Sequence, residues 1–106
     1  MKKIECIIRS EKLKMLSDNL LLAGVGGMTV SEVKGFGSQT TRPPNYLFLP
    51  KTKIEIYCAD EQLEEIVSCI VKACKEETIG SGKIVVIPIE DCIRIRTNEK
   101  GEKGIL

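Results

Sequence analysis

Two short segments hold the residues best suited to chemistry: Glu32–Gln39, reading Glu-Val-Lys-Gly-Phe-Gly-Ser-Gln, and Thr78–Val86, reading Thr-Ile-Gly-Ser-Gly-Lys-Ile-Val-Val. Each sets glycines against an expected strand, with polar or cationic groups beside them. Glycine lets backbone N–H groups approach an anion with no Cβ in the way. Lys83, directly after Gly80-Ser81-Gly82, adds a point charge suited to phosphate. Arg94 and Arg96, expected at i and i+2 of one strand, would point to the same face. Two adjacent guanidiniums repel unless an anion lies between them. Each feature also has a bland counterpart: turn glycines, a bulge at a strand end, a pair of solvated arginines. Gly80-Ser81-Gly82-Lys83 is not a Walker A loop, because it joins a helix to a strand rather than a strand to a helix.

Composition narrows the chemistry. The chain has no histidine, so the commonest general base is missing. Asp18, Glu32, Glu55 and Glu64 fall within expected elements with no pair marked as sharing a site. Lys51 or Lys83 would serve as a base only if strongly desolvated. The reading is therefore of a binding protein rather than an enzyme. A formal net charge of +1 argues against nucleic acid as a partner and makes any anion site local. The five cysteines form no C-x-x-C pair and read as free thiols filling a core in a cytoplasmic protein. No apolar run is long enough to span a bilayer. The start, Met1-Lys2-Lys3-Ile4-Glu5, becomes charged and strand-like too soon for a signal peptide.

The elements that must position these residues follow from periodicity. At 106 residues the chain is a single domain, 1–106. Alternation predicts a strand over 3–9, and Ser10 is expected to cap a helix over 11–23 that ends at Gly24. A second strand covers 28–34. A polar loop with Pro43-Pro44 covers 36–45, and a third strand covers 46–58. Asp60 is expected to cap a helix over 61–75. A fourth strand, 83–89, follows the glycines; then come a short fifth strand, 92–96, and a flexible C-terminal tail, 97–106. The order β-α-β-β-α-β is the ferredoxin-like α+β arrangement, with both helices on one face of an antiparallel sheet. Ile7 and the two-sided apolar run Ile84-Val85-Val86-Ile87 imply that the other face is dry too, covered by sister subunits.

At this point the chain resembles the PII signal-transduction family. The resemblance rests on Gly27-Met28-Thr29-Val30, Glu32-Val33-Lys34-Gly35-Phe36-Gly37, Leu49-Pro50-Lys51, Lys53-Ile54-Glu55-Ile56, Ile79-Gly80, Gly82-Lys83-Ile84 and Ile93-Arg94-Ile95-Arg96-Thr97, in order and over nearly the whole length. It implies a homotrimer that binds adenine nucleotide (ATP, ADP or AMP) between subunits and regulates a partner protein, a transporter or a metabolic enzyme, in nitrogen or carbon metabolism. Thr29 and the backbone of Gly35, Phe36, Gly37 and Ser38 would contact the nucleotide. Gly80, Ser81, Gly82 and Lys83 would cradle its phosphates, and Arg94 and Arg96 would reach them from the neighbouring subunit. Gln39 would lie near Mg²⁺ and a small carboxylate effector, 2-oxoglutarate or bicarbonate, and Lys51 would pair with the effector's carboxylate.

The departures from the family pattern matter as much. The long mobile loop (the T-loop) is shortened to 36–45 here. Tyr46 sits too near the following strand to stand for the loop tyrosine that some members have uridylylated. Ser38 replaces the usual arginine after Gly-Phe-Gly, and Ser81 the usual aspartate between the loop glycines. Two other functions stay open at this level, a slow ATP hydrolase on the same trimer and a structural trimer with a degenerate ligand site.

Overall fold

The computed structural model describes residues 1–37, 47–76 and 82–105. Four strands, β1 (Lys2–Ile8), β2 (Thr29–Gly35), β3 (Leu49–Cys58) and β4 (Lys83–Pro88), pair throughout in antiparallel fashion in the order β2-β3-β1-β4. Helices α1 (Leu13–Leu22) and α2 (Leu63–Cys74) follow β1 and β3, and a short α3 (Glu102–Ile105) closes the described chain. This is the ferredoxin-like α+β fold that the element order predicts.

Alternation along the strands decides what is buried. Ile4, Cys6 and Ile8 of β1 and Ile54, Ile56 and Cys58 of β3 point to the helix side and are almost wholly covered. They meet Leu16 and Leu20 of α1 and Ile66 and Ile70 of α2, each pair four residues apart and therefore on one helical stripe. Gly24 ends α1 as expected. It adopts φ 87°, and the bonds Val25 N–H to Leu20 O (3.0 Å) and Gly24 N–H to Leu21 O (3.1 Å) complete a Schellman motif.

Four expectations are corrected. Neither Ser10 nor Asp60 caps its helix, because each opens a 3₁₀ turn (Ser10–Lys12 and Asp60–Gln62) and so shifts the cap to the residue before it, Arg9 or Ala59. Ser10 Oγ instead accepts from the buried Thr52 hydroxyl at 2.9 Å, and Asp60 receives the Met1 ammonium at 2.8 Å. The expected fifth strand reduces to a single antiparallel bridge between Ile93 and Lys100, because the chain turns back at 95–97. Residues 97–105, expected to be a flexible tail, carry that turn, the bridge and α3.

Among the described residues, the sheet's second face is largely open. Lys3, Glu5 and Ile7 of β1 share it with Lys51, Lys53, Glu55 and Tyr57 of β3 and with Lys83, Val85 and Ile87 of β4, as the pairing register dictates. Ile7, Tyr57, Val85 and Ile87 all stand exposed there.

Candidate functional site

The register spreads the candidate residues along and across the sheet. Gly35 ends edge strand β2 opposite Leu49, and Lys83 opens the other edge strand, β4, opposite Ile7 and so level with Lys53 and Ser31. Lys51 faces Val33, two residues before Gly35 on β2. Phe36 and Gly37 continue from β2, and the Phe36 ring packs edge-on against Phe48 with centroids 5.5 Å apart and planes at 68°. That contact ties together the two ends of the loop expected over 36–45. Gly82 holds φ 106°, and a Cβ there would overlap the Ile7 carbonyl oxygen. Only glycine lets the chain enter β4 this close to β1. Ser38, Gln39, Gly80 and Ser81 lie outside the described residues.

The start of β2 carries Thr29. It opens β2 opposite Glu55, six residues from Gly35 and hence about 20 Å from it along the strand. Thr29 lines a cleft of about 500 Å³ with Gly27, Met28, Tyr57, Gly104 and Ile105. Thr29 and the Gly35–Gly37 backbone therefore cannot grip the same phosphate from one protomer.

Arg94 and Arg96 depart from the geometry expected of them. With no strand beneath them, the period-two argument lapses. Arg96 sits exposed in the turn. Arg94 is half-buried: its Nη2 donates to the Lys103 carbonyl at 3.3 Å, and its Nε is buried without a hydrogen-bond partner among the described residues.

Sequence reasoning missed a charged quartet on the open sheet face. Glu5 and Glu55 are directly opposite in the β1–β3 pairing, an arrangement that alone would be repulsive. Lys3 Nζ lies 2.9 Å from Glu55 and 3.4 Å from Glu5, and Lys53 Nζ lies 3.4 Å from Glu5 and 3.9 Å from Glu55. The Lys3 hydrogen bond holds the Glu55 carboxyl below its ordinary range and raises the Lys3 ammonium above its own. The strand alternation in Lys3-x-Glu5 and Lys53-x-Glu55 is visible in sequence, but the register that faces them is not. Burial pushes the Cys6 thiol up to about 11, with Cys74 adding to the rise. All five cysteines are free.

A family model described as "Nitrogen regulatory protein P-II" matches residues 1–99. The chain belongs to the P-II family. Proteins named nitrogen regulatory protein P-II from Cereibacter sphaeroides and Nostoc punctiforme are 46% and 44% identical to it, and P-II 2 from Methanothermobacter thermautotrophicus is 43% identical. Each alignment runs over 112 residues and covers 99% of this chain, with 100%, 100% and 97% of the relative. Since the chain itself has 106 residues, parts of these relatives face gaps in it. P-II membership confirms the resemblance read from the motifs and makes the chain one of a regulatory family. Among the described residues, no helix is long and apolar enough to cross a membrane.

Proposed function

We propose that this P-II protein is a homotrimeric, non-enzymatic regulator of nitrogen or carbon metabolism that binds adenine nucleotide in clefts between its subunits. The observation that carries this reading is the separation of the candidate residues within one protomer. Thr29 and Gly35 stand six residues apart on edge strand β2, and Lys83 opens the opposite edge strand β4. A site that uses all of them together with Arg94 would be complete only where two protomers meet. Exposed Ile7, Val85 and Ile87 on the open sheet face supply apolar surface for that association.

Backbone N–H groups around Gly80 to Gly82 and the Lys83 ammonium suit a di- or triphosphate. Among the described residues, no cluster of carboxylate, thiol or imidazole groups could hold a metal by itself, so Mg²⁺ would arrive on the phosphates with Gln39 beside it. Gln39 and Lys51 would bind 2-oxoglutarate or bicarbonate. The loop over 36–45, where we place the residues missing relative to the longer relatives, would respond by presenting or hiding a surface for a transporter or metabolic enzyme. Five free thiols suit a reducing cytoplasm. Ser38 lacks the cation that would face a γ-phosphate. One charge-assisted bond is worth about 1.5–3 kcal/mol, roughly 10- to 150-fold, so ADP and AMP should compete better against ATP here than in members with arginine.

Subunit mixing tests the reading. Lys83→Ala and Arg94→Ala should each abolish ATP binding in calorimetry. Co-refolding the two variants should restore one intact site per mixed trimer, because the wild-type Lys83 of one protomer then meets the wild-type Arg94 of its neighbour. A mixture that stays as inert as either variant would refute the shared site.

A further inference from the structure

Residues 91–105 form a strap that is closed on itself. The Arg94 N–H donates to the Glu99 carbonyl at 2.9 Å, and the Asn98 N–H donates to the Arg94 carbonyl at 2.7 Å, with Asn98 in the left-handed region at φ 61°. One carboxylate oxygen of Asp91 accepts from the Cys92 and Gly101 amides at 2.8 and 2.9 Å, pinning both ends of the turn. Beyond Gly101 the chain passes so near the strap's start that a Cβ at Gly104 would overlap the Cys92 carbonyl oxygen. The seat of α3 is therefore made for glycine. Most of this segment past the turn lies beyond residue 99, where the family match ends.

Two features connect the strap to the candidate site. The Lys103 carbonyl occupies Arg94 Nη2, and the buried Nε has no hydrogen-bond partner among the described residues. Gly104 and Ile105 also form part of the wall of the cleft that contains Thr29.

We propose that α3 is an autoinhibitory latch, in which the Lys103 carbonyl stands in for an anion on Arg94 and the polyphosphate must lift the latch to reach the guanidinium. The competition is uneven by design. A neutral carbonyl engages one arm of the guanidinium fork, whereas a phosphate oxyanion can engage Nε and Nη2 together in stronger, charge-assisted bonds. Apparent affinity falls by the fraction of molecules in which the latch is open. The identity of the anion rests on the nucleotide reading above; the latch itself does not.

The test uses two variants, Gly104→Ala, which crowds the seat, and a chain ending at Gly101, which removes it. The first readout is labelling of Arg94 by phenylglyoxal, mapped by peptide mass spectrometry, with exposed Arg96 as internal reference. Both variants should label Arg94 about ten-fold faster relative to Arg96, which corresponds to a seating free energy of ~1.4 kcal/mol. Unchanged relative labelling would overturn the latch whether or not nucleotide binds. The second readout is ATP titration, which should tighten by the same factor; faster labelling with unaltered ATP affinity would overturn the autoinhibition. If labelling rises while neither full-length protein nor variants bind ATP, the cover over Arg94 stands and the nucleotide reading fails.

Discussion

Gly82→Ala should be among the most damaging small substitutions in the protein, and Gly24→Ala provides its control. Both glycines hold positive φ, 106° at Gly82 and 87° at Gly24, so alanine is strained at either, at about 1–3 kcal/mol. They differ in their surroundings. A Cβ at Gly24 meets nothing within 4 Å, whereas one at Gly82 runs into the Ile7 carbonyl oxygen. That oxygen belongs to β1 at the residue paired with Lys83, so it cannot move without loosening the first rung of the β1–β4 ladder. Adding an overpacking cost of about 1–3 kcal/mol puts Gly82→Ala at roughly 2–6 kcal/mol, against about 1–3 for Gly24→Ala. At roughly 4–8 °C per kcal/mol for a domain near this size, the difference is readily resolved. Urea unfolding at fixed protein concentration is the assay, since association shifts midpoints. Because Lys83 follows directly, Gly82→Ala should also weaken ATP binding. Equal loss of stability in the two variants would refute the close-approach argument.

Lys3→Gln should flatten the pH dependence of stability at both extremes. Glu55 is lowered from 4.5 by the Lys3 hydrogen bond, so its contribution is present above that value and disappears as pH falls through the folded one. Lys3 is raised from 10.5 by the same bond, so its contribution is present below that value and disappears as pH rises through the folded one. Urea midpoints measured across pH would check both limbs. Alkylation at pH 8 followed by mass spectrometry should find Cys6 labelled last among the cysteines, because its thiol is buried and pushed up to about 11. Leu16→Ala, at a fully buried position, should cost about 2–5 kcal/mol by cavity formation, seen as a lower urea midpoint at unchanged slope.

Much of the fold was legible because its causes are local. Alternation in Ile4-x-Cys6-x-Ile8 and Ile54-x-Ile56-x-Cys58 marks strands with one buried face. The spacing of Ile66 and Ile70 marks a helix, and Gly24 after an apolar stripe marks its end. The capping expectations failed for a local reason that composition hides: a 3₁₀ turn at each helix start moves the cap one residue back. The strand expected over 92–96 failed for a longer-range one. Ile93-x-Ile95 alternates like a strand, but the sheet's β4 edge is not where this segment goes, and it bonds to its own continuation at Glu99 and Lys100.

By itself, the sequence determined the element order, the buried stripes and the glycine-and-cation motifs, because spacing and propensity act between residues close in the chain. Tertiary structure decided which residues share a site. The order β2-β3-β1-β4 and its register depend on pairings between residues far apart in sequence, and they put Gly35 and Lys83 on opposite edge strands. They also face Glu5 with Glu55 under two lysines. The return of α3 onto Arg94 depends on the room that a missing Cβ at Gly104 leaves beneath the Cys92 carbonyl, and no periodicity along the chain encodes that room.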